Sequence, residues 1–490
     1  MTRLSNASLS GLPAAVGRPA YQRSLLEPRI VHLGLGNFHR AHQAFYTDAA
    51  LEAAQARDDH TQLDWGICGV SLRHPDMRDR LAPQDCLYTL EVRENAERRQ
   101  RVIGSVIEVL VGPEDPGTVI DRMRRADVVT LTVTEKAYGL DAAGRLDLDA
   151  DGLRRDLENP ASPTTVIGYL AAALVHRSAA DRRGLTIVCC DNLAGNGTKL
   201  EAAVLDFLAE ADAATRDWVA ANVAFPATMV DRIVPHTTDE MIADVGRRLT
   251  LDDAAPVITE PFSQWIIENR FSGPVPAWAD VGAQLVDDVT PFETIKLRML
   301  NGSHSTLAYL GCLGGYATVD AAVHNPGFRN LIDRLMRDEV QPTLDAPPGF
   351  DIDAYRRQLL ERFANTATQH RLQQIAMDGS QKLPQRLVPT LRERLAAGAP
   401  VDCLALCVAA WALYVRGGDA RGSEWFVDDP IAAKLAALHR GPGDGVMNVL
   451  RGSGVFDESL YGDAGFAGCV ADWAAAIRNE GVDAVLARFG

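Results

Sequence analysis

The chain has 490 residues, of which 47% are hydrophobic and 23% are charged, and its formal net charge is −16. This length and composition are ordinary for a folded chain with one to three domains and a large core. The acidic balance argues against nucleic-acid and anionic-membrane partners, which require a basic face, although a local basic cluster can still bind an anionic small molecule.

The eight cysteines form no CxxC pair and have no zinc-finger spacing to histidines. They predict reduced, buried thiols in a cytoplasmic protein without a bound metal. The first 25 residues lack the basic start and apolar run of a secretory signal. The most apolar stretch, Cys403 to Val415, is about half as long as a bilayer span. It therefore predicts a buried core helix.

The first half of the chain alternates between predicted strands and helices. After an irregular arm, residues 29–33 predict a strand that leads into a glycine-containing turn, and a helix follows from Phe38 to about Ala56. Short apolar runs bounded by charged or glycine-containing turns predict further buried strands, with helices between them. These strands are predicted at 65–72, 128–134 and 185–190, and these helices at 165–182 and 199–211.

Strands that alternate with helices favour a doubly wound α/β domain, which we place at residues 1–285. After about residue 290 strand-like runs become rare and helical periodicity dominates. We therefore predict a mostly helical second domain at 286–490.

The turn after the first strand is a candidate dinucleotide site. Gly34 permits a tight turn, and Gly36 would let the backbone approach a pyrophosphate placed at the N-terminus of the next helix. Asn37 and Phe38 open that helix and are candidate cofactor contacts. His39 stands where the usual fingerprint has a third glycine, and a plain strand–helix turn is the competing interpretation. We interpret His39 and the nearby His42 as structural residues.

An acidic residue after the second strand would bind the adenosine ribose. Asp76 is the candidate, although it lies further from the glycines than the usual ~20 residues. Its carboxylate would repel the 2′-phosphate of NADP and so favours NAD. Arg73 and Arg78 flank it and weaken that preference, and a solvated loop aspartate is the competing interpretation.

Two segments carry candidate catalytic residues. If residues 296–304 form a helix, Lys296, Asn301 and His304 fall within one arc and could line one cleft. A buried lysine can act as a general base, while Asn and His can hold an oxygen as charge develops on it. Asn192 follows the predicted strand 185–190, and ligands of open α/β sheets bind beyond the carboxyl ends of strands. Taken alone, each residue is more often structural.

Several segments of the chain together resemble the mannitol dehydrogenase family, the polyol-specific long-chain dehydrogenases. They occur in the family's order and cover most of the chain. They are IVHLGLGNFHRAHQAFYTD (30–48), TLTVTEKAY (130–138), CDNLAGNG (190–197), FPATMVDRIVP (225–235), EPFSQWIIEN (260–269), KLRMLNGSHS (296–305) and DGSQKLPQR (378–386).

The resemblance implies a Rossmann-type N-terminal domain, a helical C-terminal domain and metal-independent hydride transfer with NAD at an active site between the domains. By matching motif, it makes Lys296 the general base, Asn192 and Asn301 oxyanion donors, and His304 a contact of the reacting oxygen. It also implies a further set of residues for the substrate or the proton path. They are Lys382 near the substrate, and Glu135 and Glu293 along the proton path.

The resemblance leaves the substrate open between two branches of the family. One branch interconverts D-mannitol and D-fructose, and the other interconverts D-mannonate and D-fructuronate. The segment after Thr134 and the segment from His370 to Lys382 favour the uronate branch, and Arg371 there is a candidate partner for a substrate carboxylate. Residues 68–73 resemble the mannitol branch instead. We predict the uronate branch, and D-arabinitol or D-sorbitol stay possible.

Two other functions are open at this point. One is a dehydrogenase for a phosphorylated sugar, and the other is a nucleotide-binding sugar sensor without catalysis. The presence of Lys296 together with the other three candidate catalytic residues argues against a sensor, because sensing alone needs no base. The oligomeric state is open between monomer and dimer.

Overall fold

The computed structural model describes residues 2–141, 144–180, 183–418 and 424–489. The chain divides into two compact units, Met1–Thr290 and Pro291–Gly490. The first unit contains sheets and helices, and the second is helical.

The strands of the first unit form one large and two small sheets. The strands are β1 (Glu27–Leu33), β2 (Trp65–Ser71), β3 (Tyr88–Glu94), β4 (Glu97–Ile103), β5 (Val106–Val111), β6 (Val128–Leu131), β7 (Leu185–Cys189), β8 (Val223–Ala224), β9 (Thr228–Asp231), β10 (Val257–Thr259), β11 (Gln264–Glu268) and β12 (Gln284–Val286). The large sheet has the order β5-β2-β1-β6-β7-β8, and all its pairs are parallel. The chain order reverses between β1 and β6, as in a Rossmann-type sheet.

Helices cover both faces of the large sheet. The helices of this unit are α1 (Asn37–Ala41), α2 (Gln43–Ala56), α3 (Asp76–Leu81), α4 (Pro116–Arg125), α5 (Asp151–Glu158), α6 (Val166–Ala179), α7 (Asn196–Ala211), α8 (Ala213–Asn222) and α9 (Asp239–Leu249). Short 3-10 helices lie at Asn6–Gly11, Arg23–Leu25, His60–Gln62, Ala82–Gln84, Glu135–Tyr138 and Trp278–Val281. Successive residues of β1 serve opposite faces: Val31 packs in a core with α4, α6 and α7, whereas Ile30 packs in a core with α2. This two-sided burial explains the continuous apolar strands.

The two small sheets have the orders β10-β3-β4 and β12-β11-β9. The first contains a β3–β4 hairpin, and β10 pairs with β3 from a distant part of the chain. These sheets were not predicted from the sequence, because β4 is mostly polar and β9 to β12 are short and pair with distant parts of the chain.

The second unit is built from helices. They are α10 (Thr290–Ile295), α11 (Gly302–Leu313), α12 (Val319–Val323), α13 (Pro326–Arg334), α14 (Ile352–Phe363), α15 (Leu372–Ala376), α16 (Gly379–Arg386), α17 (Val388–Ala396), α18 (Asp402–Tyr414), α19 (Ala432–Arg440), α20 (Gly445–Gly452), α21 (Glu458–Tyr461), α22 (Ala464–Glu480) and α23 (Val482–Leu486). π-Helical segments lie at Lys296–Asn301 and Leu335–Val340, and 3-10 helices at Gln341–Thr343 and Ala487–Phe489. No strand occurs among the described residues of this unit.

Helix α18 forms the centre of the second unit and packs against α11 and α22. From Cys403 to Tyr414 every residue is buried, so the prediction of a buried core helix is confirmed. Within the described ranges, no helix combines the length and apolar content needed to cross a membrane. The predicted fold class, a Rossmann-type domain followed by a helical domain, is also confirmed.

The cysteines match the predicted reduced, buried thiols only in part. All eight are free thiols. Six are buried, whereas Cys312 and Cys469 are only partly buried. Burial raises the pKa of Cys312 to about 12 and that of Cys469 to about 11, so neither thiol is activated.

Candidate active site

The turn after β1 contains two glycines, and the space available for a side chain differs between them. Gly34 has φ +93°, and a Cβ there would lie 2.2 Å from the Thr132 carbonyl oxygen, so the fold itself requires glycine. A Cβ at Gly36 would meet only the Gly34 carbonyl oxygen at 3.7 Å. Packing therefore leaves room for a side chain at Gly36, and a closely approaching ligand would be the reason to exclude one. This is the pattern expected of a pyrophosphate-binding turn.

Helix α1 begins at Asn37, with Gly36 as its N-cap residue. The buried Arg40 donates to Asn37 Oδ1 at 2.6 Å and fixes this side chain at the start of the helix. Phe38 is partly buried, and its ring stacks on His42 at 5.0 Å between centroids. The predicted helix 38–56 is thus two helices, α1 and α2, which are separated by a break at His42.

His39 packs the first helix onto the first strand. Its ring stacks on that of His32 in β1, with 3.4 Å between centroids and 17° between the planes. His32 in turn hydrogen-bonds the hydroxyls of Thr130 and Thr132 in and beside β6. Burial holds the pKa of His39 well below its usual value and lowers that of His32 to about 3, so both rings are neutral. His39, stacked on His32, thus stands at the position where the usual fingerprint has a glycine.

Asp76 is exposed and is the first residue of α3, which follows β2 after a short loop. Of the two flanking arginines, Arg78 is engaged by Glu114 and Asp79. Arg73 is exposed in the loop after β2. The ribose-binding role of Asp76 stays a prediction.

Asp191 connects the loops that follow two neighbouring strands. It lies just after β7, and its carboxylate accepts hydrogen bonds from the backbone N–H of Val133 (3.0 Å) and Thr134 (2.9 Å) and from the Tyr138 hydroxyl (2.6 Å). Burial raises the pKa of Asp191, and these hydrogen bonds oppose the rise. The next residue, Asn192, is exposed. Asp191 therefore orders the segment that precedes the predicted proton-relay residue.

Thr134 has an unusual backbone conformation, with φ 77° and ψ 153°. Such a conformation costs a non-glycine residue on the order of 1–3 kcal/mol and persists only where its surroundings enforce it. The 3-10 helix Glu135–Tyr138 follows directly. The side chain of Glu135 lies outside the described part of the structure.

The segment with Lys296, Asn301 and His304 is helical, but its first part is not α-helical. Lys296–Asn301 is a π-helix inserted between α10 and α11. The arc calculated with α-helical spacing is therefore wrong for these residues, because a π-helix has more residues per turn. π-Helical insertions often occur at functional sites. Lys296 is 7% exposed, which is rare for a lysine.

His304 lies on α11 in a basic environment. Its ring contacts Phe363 and His370, with centroids at 4.9 and 5.5 Å. Burial, followed by the charges of His370, Arg386, Arg362 and Lys296, holds the pKa of His304 well below its usual value. None of the described residues forms a hydrogen bond with its buried Nε2. The imidazole is thus neutral and close to Lys296, as the predicted site requires.

Helix α16 adds two cations to the same region. Arg386 donates to Ser305 Oγ at 3.1 Å and to the Asn301 carbonyl oxygen at 3.5 Å. Lys382 donates to the Ile375 carbonyl oxygen at 3.3 Å. Burial and then the charge of Lys382 lower the pKa of His370 to about 4.

The structure brings together only some of the predicted residues of the second unit. Lys296, Asn301, His304 and Lys382 are linked through His370 and Arg386, neither of which was predicted as a site residue. Glu293 is partly buried in α10. Arg371 is exposed at the N-cap of α15, and its backbone pairs with Thr318.

Sequence reasoning missed Asp191 beside Asn192 in the first unit, and His370 and Arg386 near His304 in the second unit. Asp191 had a usable signal, since it directly follows a buried strand at the ligand-binding edge of the sheet. His370 and Arg386 had none, because they reach His304 only through folding. Among residues 2–141, 144–180, 183–418 and 424–489, no group of three or more His, Cys, Asp or Glu side chains could hold a metal ion.

Two family models match the chain. The mannitol dehydrogenase Rossmann domain matches residues 28–280, and the mannitol dehydrogenase C-terminal domain matches residues 288–477. The chain belongs to the mannitol dehydrogenase family. This confirms the resemblance found in the sequence and identifies the chain as a member of a family of oxidoreductases that act on alcohol groups of polyols and sugar acids.

Family members of two kinds are similar along nearly the whole chain. D-mannonate oxidoreductase of Escherichia coli (strain K12) is 45% identical over 472 residues, 94% of this chain and 95% of the relative. Mannitol 2-dehydrogenase of Phaeosphaeria nodorum is 37% identical over 495 residues, 99% of this chain and 85% of the relative. The structure of Pseudomonas fluorescens mannitol 2-dehydrogenase in a ternary complex with NAD and D-mannitol matches with a TM-score of 0.90 and 37% identity, covering 99% of both chains.

Proposed function

We propose that this member of the family is an NAD-dependent oxidoreductase that interconverts D-mannonate and D-fructuronate. The observation that carries the proposal is the environment of the buried His304, where the charges of Arg386, Arg362 and Lys296 all act on the ring. Such an environment favours a substrate with a carboxylate over a neutral polyol. The greater identity to D-mannonate oxidoreductase, 45% against 37% for mannitol 2-dehydrogenase, supports the same choice.

The first unit fits NAD at the carboxyl edge of its large sheet. The fit rests on the room left at Gly36, on the start of α1 at Asn37, and on the reversal of strand order beside β1. We propose Gly34, Gly36, Asn37 and Phe38 as the residues around the pyrophosphate, and Asp76 as the ribose partner. When bound, the nicotinamide supplies the hydride acceptor.

In this proposal Lys296 is the general base. Its neutral Nζ accepts the proton of the substrate hydroxyl while the hydrogen on the same carbon leaves as hydride, so that the alcohol becomes a ketone. In the reverse direction, the protonated Nζ returns its proton to the carbonyl oxygen. The oxidation requires the neutral amine.

Three further side chains hold the reacting oxygen. The amides of Asn192 and Asn301 donate to it as negative charge develops. His304 is neutral, so it can present an N–H at Nε2 without competing with Lys296 for the proton. We propose that Glu293 and Glu135 exchange protons between Lys296 and solvent, and that Lys382 and Arg371 contact the substrate.

Rates of NADH formation and consumption test the function. The panel contains D-mannonate, D-mannitol, D-arabinitol and D-sorbitol with NAD⁺, and D-fructuronate and D-fructose with NADH. We expect turnover of D-mannonate and D-fructuronate. Turnover of mannitol and fructose alone would support a second candidate function, the interconversion of D-mannitol and D-fructose. The 37% identity to one mannitol 2-dehydrogenase and the TM-score of 0.90 to the structure of another favour this second function. A lack of turnover throughout would favour a phosphorylated substrate or a sensor.

A further inference from the structure

The turn that carries Asn192 is fixed at both ends. At its start, Asp191 binds the loop after β6. At its end, Asn196, the first residue of α7, donates from Nδ2 to the Asp191 carbonyl oxygen at 3.1 Å and to the Thr228 carbonyl oxygen at 2.9 Å. Asn192 is the exposed residue just after Asp191, whereas Asn196 is buried. The backbone of the turn that carries Asn192 is therefore held at both ends.

The loop after β6 depends on the same carboxylate. Each oxygen of Asp191 accepts one backbone N–H, from Val133 at Oδ2 and from Thr134 at Oδ1, and Oδ2 also accepts the Tyr138 hydroxyl. Thr134, at φ 77°, lies where residues other than glycine are disfavoured. The hydrogen bonds from these two N–H groups to one carboxylate stabilise this conformation.

We propose that Asp191 is a positioning residue that fixes the turn carrying Asn192 against the backbone of the loop that leads to Glu135. The inference rests on the proposed function, since it assumes the roles given above to Asn192 and Glu135. Asp191 itself need not touch the substrate. It acts through three hydrogen bonds that all lie within the first unit.

The decisive variant is Asp191→Asn. The amide has nearly the same size, but it has one acceptor oxygen, and its NH₂ group faces a backbone N–H, so one of the two backbone hydrogen bonds is lost. A misplaced site residue can lower the rate by about 100-fold. We expect kcat for D-mannonate oxidation to fall by about 10- to 100-fold, while KM for NAD⁺ changes less than about twofold because the Gly34 turn keeps its own contacts.

Asp156→Asn is the matched control. Asp156 is buried and, like the partly buried Asp191, accepts two backbone N–H groups, here from Thr164 and Thr165 at 2.8 Å each. It lies on α5, outside the proposed site. We expect the two variants to lower the thermal midpoint by similar amounts, but only Asp191→Asn to lower kcat. Equal kcat values in the two variants would overturn the proposal and leave Asp191 a purely structural residue.

Tyr138→Phe keeps the proposal testable if Asp191→Asn does not fold. This variant removes the hydroxyl bonds to Asp191 and to Cys189 Sγ, and it leaves both backbone bonds to Asp191. We expect a fall in kcat of about two- to fivefold at unchanged KM for NAD⁺, and an unchanged kcat would count against the proposal. An inactive wild-type enzyme would contradict the proposed function itself, and this inference with it. An active wild type with an unaffected Asp191→Asn would contradict this inference alone.

Discussion

At the scale of single residues, the buried lysine is the feature that most needs a functional explanation. Lys296 is 7% exposed, a burial that is rare for a lysine, and its charge acts on the buried ring of His304. A role as general base would explain this burial.

Lys296→Met tests this role. Methionine keeps most of the apolar stem but cannot accept a proton. We expect kcat for D-mannonate oxidation to fall by about 10²- to 10⁴-fold, the usual contribution of a general base. Lys434→Met is the control, since Lys434 is exposed and donates to the Ser453 carbonyl oxygen. A comparable kcat in both variants would remove Lys296 from the mechanism.

The single residues also show how far sequence reasoning reaches. Lys296, Asn301 and His304 were found from one short motif, and the structure places Lys296 and His304 near each other. The neighbours Arg386 and His370 come from α16 and from the segment before α15, so no spacing in the sequence could indicate them. The substitution of glycine by His39 looked like a weakness of the fingerprint, yet its stacking on His32 supplies the packing between strand and helix.

At the scale of elements, the two glycines of the β1–α1 turn have different roles, Gly34 in folding and Gly36 in cofactor binding. Gly34→Ala would place a Cβ 2.2 Å from the Thr132 carbonyl oxygen at φ +93°, so we expect a destabilised protein with a lower thermal midpoint. Gly36→Ala has room in the protein. We expect it to fold normally while KM for NAD⁺ rises about tenfold, the effect of ~1.4 kcal/mol of lost binding.

Each glycine variant is the control for the other, because the residue type and the turn are the same. Thermal midpoints and KM for NAD⁺ are measured for both. An unchanged KM in Gly36→Ala would argue against a pyrophosphate at this turn. A wild-type thermal midpoint in Gly34→Ala would show that the turn can relax around a side chain.

The elements that were predicted correctly have local signals. The buried strands β1, β2, β6 and β7 are apolar runs bounded by turns, and α18 is a long apolar helix. The π-helix at Lys296–Asn301 has no such signal, because its hydrogen-bond register is set by packing against neighbouring helices. The hairpin β3–β4 was missed because its second strand is mostly polar.

At the scale of the whole molecule, buried neutral histidines make stability depend on pH. The pKa of His32 is lowered to about 3 and that of His370 to about 4, and His39 and His304 are shifted in the same direction. The unfolded chain binds protons below pH ~6.5 whereas these folded sites do not. Stability is therefore fully present above that pH and is lost as pH falls toward the folded pKa values. At pH 5, His32 alone accounts for a loss of about 2 kcal/mol.

His39→Phe tests this linkage, since phenylalanine can keep the stacking on His32 but cannot bind a proton. We expect the free energy of unfolding to fall less between pH 7.5 and pH 5 than in the wild type, by up to about 2 kcal/mol. His60→Phe is the control, because His60 is exposed beside Asp58. If both variants had the wild-type pH profile, buried histidines would not be the source of acid sensitivity.

The central claim is that this member of the family acts on a sugar acid. It rests on the arginines near His304, which favour a substrate with a carboxylate. The most direct measurement is kcat/KM for D-mannonate and for D-mannitol, with NAD⁺ at saturation in the same buffer. A charge-assisted contact to the carboxylate contributes ~1.5–3 kcal/mol, so we expect a ratio of at least about tenfold in favour of D-mannonate. A ratio of one or below would contradict the claim and assign the chain to the neutral-polyol branch.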